Sequence, residues 1–287
     1  MKNLHEQFSS VDLLTYLYTK IDFFFHTQKY TTTTLETALK RSRMVGILGR
    51  EGMGKSSAIS KFIQENANVY YVRIGQSYRI SNFLDEMIFQ VSGIYPKAPD
   101  SLFTKVKQLS SHLSKDSTKK LIIIDDAGKL GPRGLGFFHE LRDNTMQCTG
   151  FAFVGVEYFQ KHLLQAMKRG VTGVAEFYRR IQSWYTVPGL KKNEIAAYGK
   201  KLNLNDDQVL ELLDSGIETI AELEIMALKI LEEVEEAEKE NRTTIKINSS
   251  SKPFQSYEND DLENEELEDD LEEMESTKRK NNKKVKK

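Results

Sequence analysis

Short runs of apolar side chains, bounded by polar or glycine-rich stretches, recur through the first two-thirds of the chain at residues 45–48, 69–74, 121–125, 151–155 and 184–187. Consecutive rather than alternating apolar positions, rich in β-branched and aromatic residues, predict strands buried on both faces. Between these runs the apolar residues fall at helical spacing, near 55–64, 80–91, 102–113, 134–142 and 158–167. Strand and helix alternating through short connections predict an α/β fold with a largely parallel sheet flanked by helices.

The flanks differ. Residues 11–25 are too densely apolar for an exposed helix, and predict a segment packed on the core or on a neighbouring subunit. The run Thr31, Thr32, Thr33 and Thr34 supplies capping hydroxyls for a short helix over 35–41. Beyond Pro188 the strand pattern stops, and helical patterns follow at 194–202, 206–213 and 219 to about 239. The expected organisation is an N-terminal helical segment (1–30), an α/β core (31–189), a small helical lid (190–241) and a tail (242–287) too polar to offset chain entropy, hence disordered.

Charge changes the picture only once its distribution is followed. The chain has 41 basic and 42 acidic side chains, but residues 260–275 carry eleven of the acids and residues 278–287 seven of the bases. The remaining 34 bases and 31 acids leave a mildly basic body, which permits but does not announce a polyanionic partner. A single cysteine, Cys148, allows no internal disulfide, and the five histidines lack metal-site spacing. No apolar run suits a membrane span, so a cytoplasmic protein without membrane contact is expected.

The candidate chemistry lies where the first strand meets its helix. Gly49, Arg50, Glu51, Gly52, Met53, Gly54, Lys55 and Ser56 satisfy the Walker A pattern G-x-x-x-x-G-K-[ST] in the strand–loop–helix setting it requires. Glycines let such a loop turn its N–H groups toward phosphates, with the positive helix end beneath them. Gly49, Gly52, Met53, Gly54, Lys55, Ser56 and Ser57 are therefore the expected ATP-binding residues, with Lys55 on the β and γ phosphates. The run Leu121, Ile122, Ile123, Ile124, Asp125 and Asp126 is a buried strand ending in two carboxylates, the Walker B pattern. It assigns Mg²⁺ to Ser56 and Asp125, and activation of the attacking water to Asp126.

These motifs, with the stretches Phe151 to Gly155 and Phe177 to Ile181, resemble the AAA+ class of P-loop ATPases, and within it the transposition target-selection ATPases of the phage Mu B type, over roughly residues 35–205. The resemblance implies that Arg180, with Arg179 as an adjacent competitor, reaches the γ phosphate of a neighbouring subunit. It also implies a homo-oligomeric ring or filament on duplex DNA, bound without much regard to sequence, that hands DNA to a transposase. Asp126 stands where the family usually has Glu, one methylene longer, so slow hydrolysis is expected, and the family's polar sensor has no single counterpart, since Val156 follows Gly155 and Glu157 comes one step later.

Phosphate-backbone contact needs suitably placed cations, for which Arg79, Lys105, Lys107, Lys119, Lys120 and Arg133 are candidates, with Lys191, Lys192, Lys200 and Lys201 equally open. The terminal charge blocks suggest a regulatory or partner-docking tail. Two alternatives stay open: a helicase-loader or replication-initiator ATPase, and a slowly hydrolysing nucleotide switch that binds a protein partner.

Overall fold

The computed structural model describes residues 23–96 and 100–250. Its elements run α1 (His26–Arg41), β1 (Met44–Leu48), α2 (Lys55–Glu65), β2 (Val69–Arg73), α3 (Ile80–Ser92), α4 (Leu102–Leu113) and β3 (Lys120–Asp125). A 3₁₀ turn (Ala127–Leu130) leads to α5 (Gly131–Leu135), α6 (Phe137–Thr145), β4 (Thr149–Gly155), α7 (Tyr158–Lys168), α8 (Val174–Arg180) and β5 (Ser183–Thr186). The helices α9 (Lys192–Lys201), α10 (Asp206–Asp214) and α11 (Ile220–Ser250) follow. The chain divides into two compact units, Met1–Ala237 and Glu238–Lys287; residues 238–250 of the second are helical, and the first holds the sheet and the candidate site.

All strands are parallel, in the order β2-β3-β4-β1-β5. Side chains alternate across such a sheet, so each strand feeds two cores. Val45, Ile47, Leu121, Ile123, Ala152 and Val154 pack with Leu35 and Ala38 of α1 and Ile59 and Phe62 of α2. Met44, Leu48, Ile122, Ile124, Phe151 and Phe153 pack on the other face with side chains of α3, α4, α6, α7 and α8, including Phe83, Leu109, Phe138, Leu163 and Phe177. Burial on both faces explains why the strands read as unbroken apolar runs.

A third cluster belongs to the helical appendage, where Ile195, Tyr198, Leu204, Val209, Leu212, Ile220 and Leu223 are buried together with Phe25. Phe23 and Phe25 lie against the Tyr198 ring, with centroids 5.6 and 5.4 Å away. The described end of the apolar segment 11–25 thus packs on the appendage, while residues 11–22 lie outside the described residues, as do 251–287 of the tail.

Three local expectations change. The threonine run does not cap a helix at 35 but lies inside α1, where Thr31 and Thr34 are buried and donate to the carbonyls of Thr27 and Tyr30, four residues back, at 3.1 and 2.9 Å. Satisfying the hydroxyl within the helix removes its competition with the backbone, so packing overrides poor propensity. The helix expected over 134–142 is split at Gly136 into α5 and α6, and α8 was not apparent from periodicity. The last helix continues to Ser250 rather than ending near residue 239. Among the described residues no helix is long and apolar enough to cross a membrane.

Candidate nucleotide site

The loop leaves the sheet only after Gly49, whose N–H still donates to the Gly155 carbonyl at 3.1 Å. It then turns through Gly52 (φ 78°) and Gly54 (φ 72°), the latter capping α2. Both positions combine left-handed backbone with missing space: a Cβ on Gly52 would lie 2.9 Å from Ala221 Cβ, and one on Gly54 2.8 Å from Ile220 Cδ1. The first-turn amides of α2, unpaired within the helix, therefore form an anion-binding end that other residues close over.

Lys55 folds over this turn and donates to the carbonyls of Gly49 and Arg50 at 2.8 and 2.7 Å. Burial pulls its pKa below the ordinary lysine value, opposed by the carboxylates of Asp125, Asp126, Glu51 and Glu157. A partly desolvated ammonium attracts phosphate more strongly than one in bulk water.

Asp125 ends β3 and is only 4% exposed. Its Oδ2 accepts from Ser56 Oγ at 3.2 Å and from Tyr71 Oη at 3.0 Å, while Oδ1 accepts from the Asp126 N–H at 3.0 Å. Tyr71 is itself anchored on the edge strand β2: Gln90 of α3 accepts from its N–H at 3.1 Å and donates to its C=O at 2.7 Å, supplying the pairing a further strand would have given. Burial and Asp125 raise the Tyr71 pKa, so its hydroxyl stays a donor.

Asp126 takes the left-handed conformation (φ 55°), and its Oδ2 accepts from Arg73 Nε at 3.1 Å and Lys129 Nζ at 2.8 Å. Burial pushes its pKa up, but the hydrogen bonds from Lys129 and Arg73 outweigh this and hold it below the ordinary aspartate value. The candidate water activator is thus ionised and already engaged by two cations.

Around these groups lies a cavity of about 700 Å³, within the range of small-molecule sites. Residues 51–57 form its floor, Arg73, Asp125, Asp126 and Lys129 one wall, and Gly155, Val156, Tyr158 and His162 its continuation. Gln28 of α1 and Ile220, Ala221 and Glu224 of α11 line the remaining side, where Ala221 N–H donates to Gly52 O at 3.1 Å and Arg50 pairs with Glu218. The donor set fits a magnesium–triphosphate: a lysine, a helix start, and one hydroxyl beside one carboxylate, as Mg²⁺ needs when phosphates and water complete its shell. No group of three or more His, Cys, Asp or Glu side chains suited to a metal exists among the described residues.

The structure brings most of the residues expected from the sequence to one cavity. Gly52, Gly54, Lys55, Ser56, Ser57, Asp125 and Asp126 line one cavity. Met53 lines it too, but its side chain is buried in the core, leaving its backbone to the site. Gly49 contributes through its carbonyl to Lys55. Tyr71, Arg73, Lys129 and Gln28 were not singled out from the sequence, because strand order and helix packing bring the tyrosine, the arginine and the glutamine in from a distance. Lys129 lies three residues beyond Asp126, just past the Walker B run.

Arg180 lies elsewhere. It precedes β5, where the strands begin, whereas the loop follows β1, where they finish. It forms a two-pronged pair with Asp143 of α6, Nε to Oδ1 at 2.8 Å and Nη2 to Oδ2, and Nη1 donates to Glu176 O at 3.0 Å. Arg179 is exposed.

The proposed DNA cations divide. Lys105 and Lys120, only 4% and 5% exposed, are corrected to internal ties: Lys105 Nζ joins α4 to Ser81 and Asp85 of α3 at 2.8 and 2.7 Å, and Lys120 pairs with Asp116. Arg79, Lys107 and Lys119 are exposed, Lys119 donating to Gln147 O at 2.6 Å. The side chain of Arg133 lies outside the described residues.

Residues 38–163 match a family model described as an AAA domain. Over 191 residues the chain is 26% identical to the ATP-dependent target DNA activator B of Escherichia phage D108 and 25% identical to that of Escherichia phage Mu. Each match covers 65% of this chain but 58% of the relative, so the chain spans less than two-thirds of these curated proteins. In solved structures the fold is similar to the Orc1 protein of Aeropyrum pernix in complex with DNA (TM-score 0.54, 12% identity, 79% of this chain and 64% of that one). It is also similar to Cdc6p from Pyrobaculum aerophilum (TM-score 0.52, 16% identity, 75% and 61%). Over residues 38–163, then, the chain is similar to the AAA domain family, and the phosphate loop, the paired carboxylates and the parallel sheet are in keeping with that similarity.

Proposed function

We propose that this chain binds and slowly hydrolyses ATP with Mg²⁺, and in its ATP-bound form assembles on duplex DNA and presents it to a transposase. The observation carrying the reading is the meeting of Ser56 Oγ and Asp125 Oδ2 at 3.2 Å across 69 residues of sequence, beside a lysine-bearing glycine loop. Lys55 and the first amides of α2 would hold the β and γ phosphates, and Ser56 and Asp125 would hold Mg²⁺, which when bound neutralises phosphate charge. Water oxygen attacks the γ phosphorus, the bond to the β–γ bridging oxygen breaks, and the water proton passes to Asp126. A base with a depressed pKa accepts that proton weakly, consistent with slow turnover.

The DNA arm of this reading is supported by sequence similarity to the phage activators, whose name includes target DNA, and by exposed cations. Arg79 lies where β2 finishes and Lys119 where β3 begins, so a duplex touching both must cross the domain or span two subunits. The alternative of a nucleotide switch that binds a protein partner is favoured by one observation, the engagement of Asp126 by Arg73 and Lys129.

Lys55→Ala tests the proposal. Filter binding of duplex DNA should strengthen when a slowly hydrolysed ATP analogue and Mg²⁺ are added to the unaltered protein, weaken steeply with salt, and lose its nucleotide response in the variant. DNA binding indifferent to nucleotide in both proteins would reject the DNA-assembly arm. Absence of any nucleotide uptake by the unaltered protein would reject the ATPase itself.

A further inference from the structure

We propose that Lys129 is the side chain that distinguishes a triphosphate from a diphosphate in this site, exchanging its bond to Asp126 for one to the γ phosphate. The inference rests on the nucleotide-site reading above and adds to it a residue and an event.

The cavity's charge inventory carries the argument. Glu51, Asp125, Asp126 and Glu224 line it, and the lysines and arginines beside them are Lys55, Arg73 and Lys129. Lys55 serves the β phosphate as well as the γ, so it holds a diphosphate too. At the end of β4 the wall is Gly155 and Val156, which offer no polar side chain, followed by Tyr158 and His162 of α7, and α11 presents Ile220, Ala221 and Glu224, none of them basic. Arg180 is at the far end of the strands. Within one chain, the lysine and arginine side chains that a third phosphate would meet beyond the loop are therefore Arg73 and Lys129.

Both are paired with Asp126, yet they are not equivalent. The Arg73 side chain is 67% exposed at the end of the edge strand, whereas that of Lys129 is 44% exposed and closer to Asp126, at 2.8 against 3.1 Å. Its backbone is fixed by the turn after β3, with Lys129 N–H donating to Asp126 O at 2.9 Å. Its flexible stem lets the ammonium change partner without backbone movement. A γ phosphate brought beside Asp126 puts two anions in competition for this cation. Transfer of Lys129 neutralises part of the added charge and leaves the carboxylate paired with Arg73. ADP brings no such competitor, so the Asp126–Lys129 pair persists with it.

Calorimetric titration with ADP and with the slowly hydrolysed analogue ATPγS, each with Mg²⁺, tests this without measuring turnover. Lys129→Ala should weaken ATPγS binding roughly three- to tenfold, the range of a partly exposed charge-assisted hydrogen bond, and leave ADP binding within about twofold. Asp126→Asn, which frees the lysine without removing it, should tighten ATPγS relative to ADP. Equal losses for both nucleotides, or an unchanged preference in either variant, would overturn the role of Lys129 while leaving the nucleotide site intact. Failure of the unaltered protein to bind either nucleotide would overturn the site reading and this inference together.

Discussion

Tyr71 gives its hydroxyl hydrogen to the same Asp125 oxygen that Ser56 reaches, so the carboxylate is oriented from two elements before any cation arrives. The buried, paired groups behind a metal ligand set its rotamer, and their loss usually shows in metal affinity rather than in folding. Tyr71→Phe keeps the ring and removes only the donor. The Mg²⁺ concentration needed for half-maximal nucleotide binding should rise about tenfold, with metal-free nucleotide affinity unchanged and stability altered by no more than about 1 kcal/mol. Titrations of nucleotide binding at graded Mg²⁺, beside urea unfolding, would show this. An unchanged magnesium requirement would reduce Tyr71 to packing. Neither Tyr71 nor Arg73 stands out in the sequence, where Val69 to Ile74 reads simply as a strand. Their significance comes from β2 lying beside β3 in register, Tyr71 opposite Ile123 and Arg73 opposite Asp125, which local pattern does not encode.

At the scale of elements, the strands and the phosphate loop were legible because each is written locally. Leu121, Ile122, Ile123 and Ile124 are all 0% exposed and form one unbroken run, and the loop glycines fall at fixed offsets from Lys55. Helix α1 was legible only in its second half, since its first half spends four threonines where propensity argues against helix. What holds it is a close backbone approach: a Cβ on Gly150 of β4 would lie 2.3 Å from the Ala38 carbonyl oxygen. The loss of a side chain near the start of β4 lets α1 settle on the sheet and carry Gln28 to the nucleotide cavity. Gly150→Ala must push backbone rather than a side-chain tip. It should lower stability by about 1–3 kcal/mol, seen as a lower urea midpoint at unchanged slope. A midpoint within experimental scatter of the parent would mean that α1 is held mainly by its other contacts. Alanine at Gly93, where nothing lies within 4 Å, makes no such clash, though its φ of 75° carries a cost of its own.

The whole-molecule question is why an arginine resembling a catalytic one sits far from its own nucleotide cavity. Ser183 is in register with Val45 and the phosphate loop follows Leu48, so β1 itself lies between Arg180 and the loop. A five-residue strand rises about 16 Å, more than an arginine side chain can bridge through packed core. Service to the same chain's γ phosphate is excluded by this placement. Service to a neighbour's requires a head-to-tail interface, the kind that generates rings or filaments. Asp143 would then act as the positioning residue, gripping the guanidinium by two of its nitrogens and leaving it on the surface a neighbour would meet. The consequence can be read by mixing two inactive proteins. Arg180→Ala retains a hydrolytic site but offers no arginine, while Asp126→Asn still binds nucleotide for assembly and offers the arginine but lacks the group that activates water. Each alone should be about a hundredfold or more below the parent in DNA-stimulated hydrolysis. In an equal mixture on DNA, random head-to-tail assembly pairs an intact site with an intact arginine at about a quarter of interfaces, so activity should recover toward that fraction. Recovery would have to vanish below the concentration at which subunits associate. A mixture no more active than its components, with assembly verified by sedimentation, would return Arg180 to a surface ion pair with Asp143.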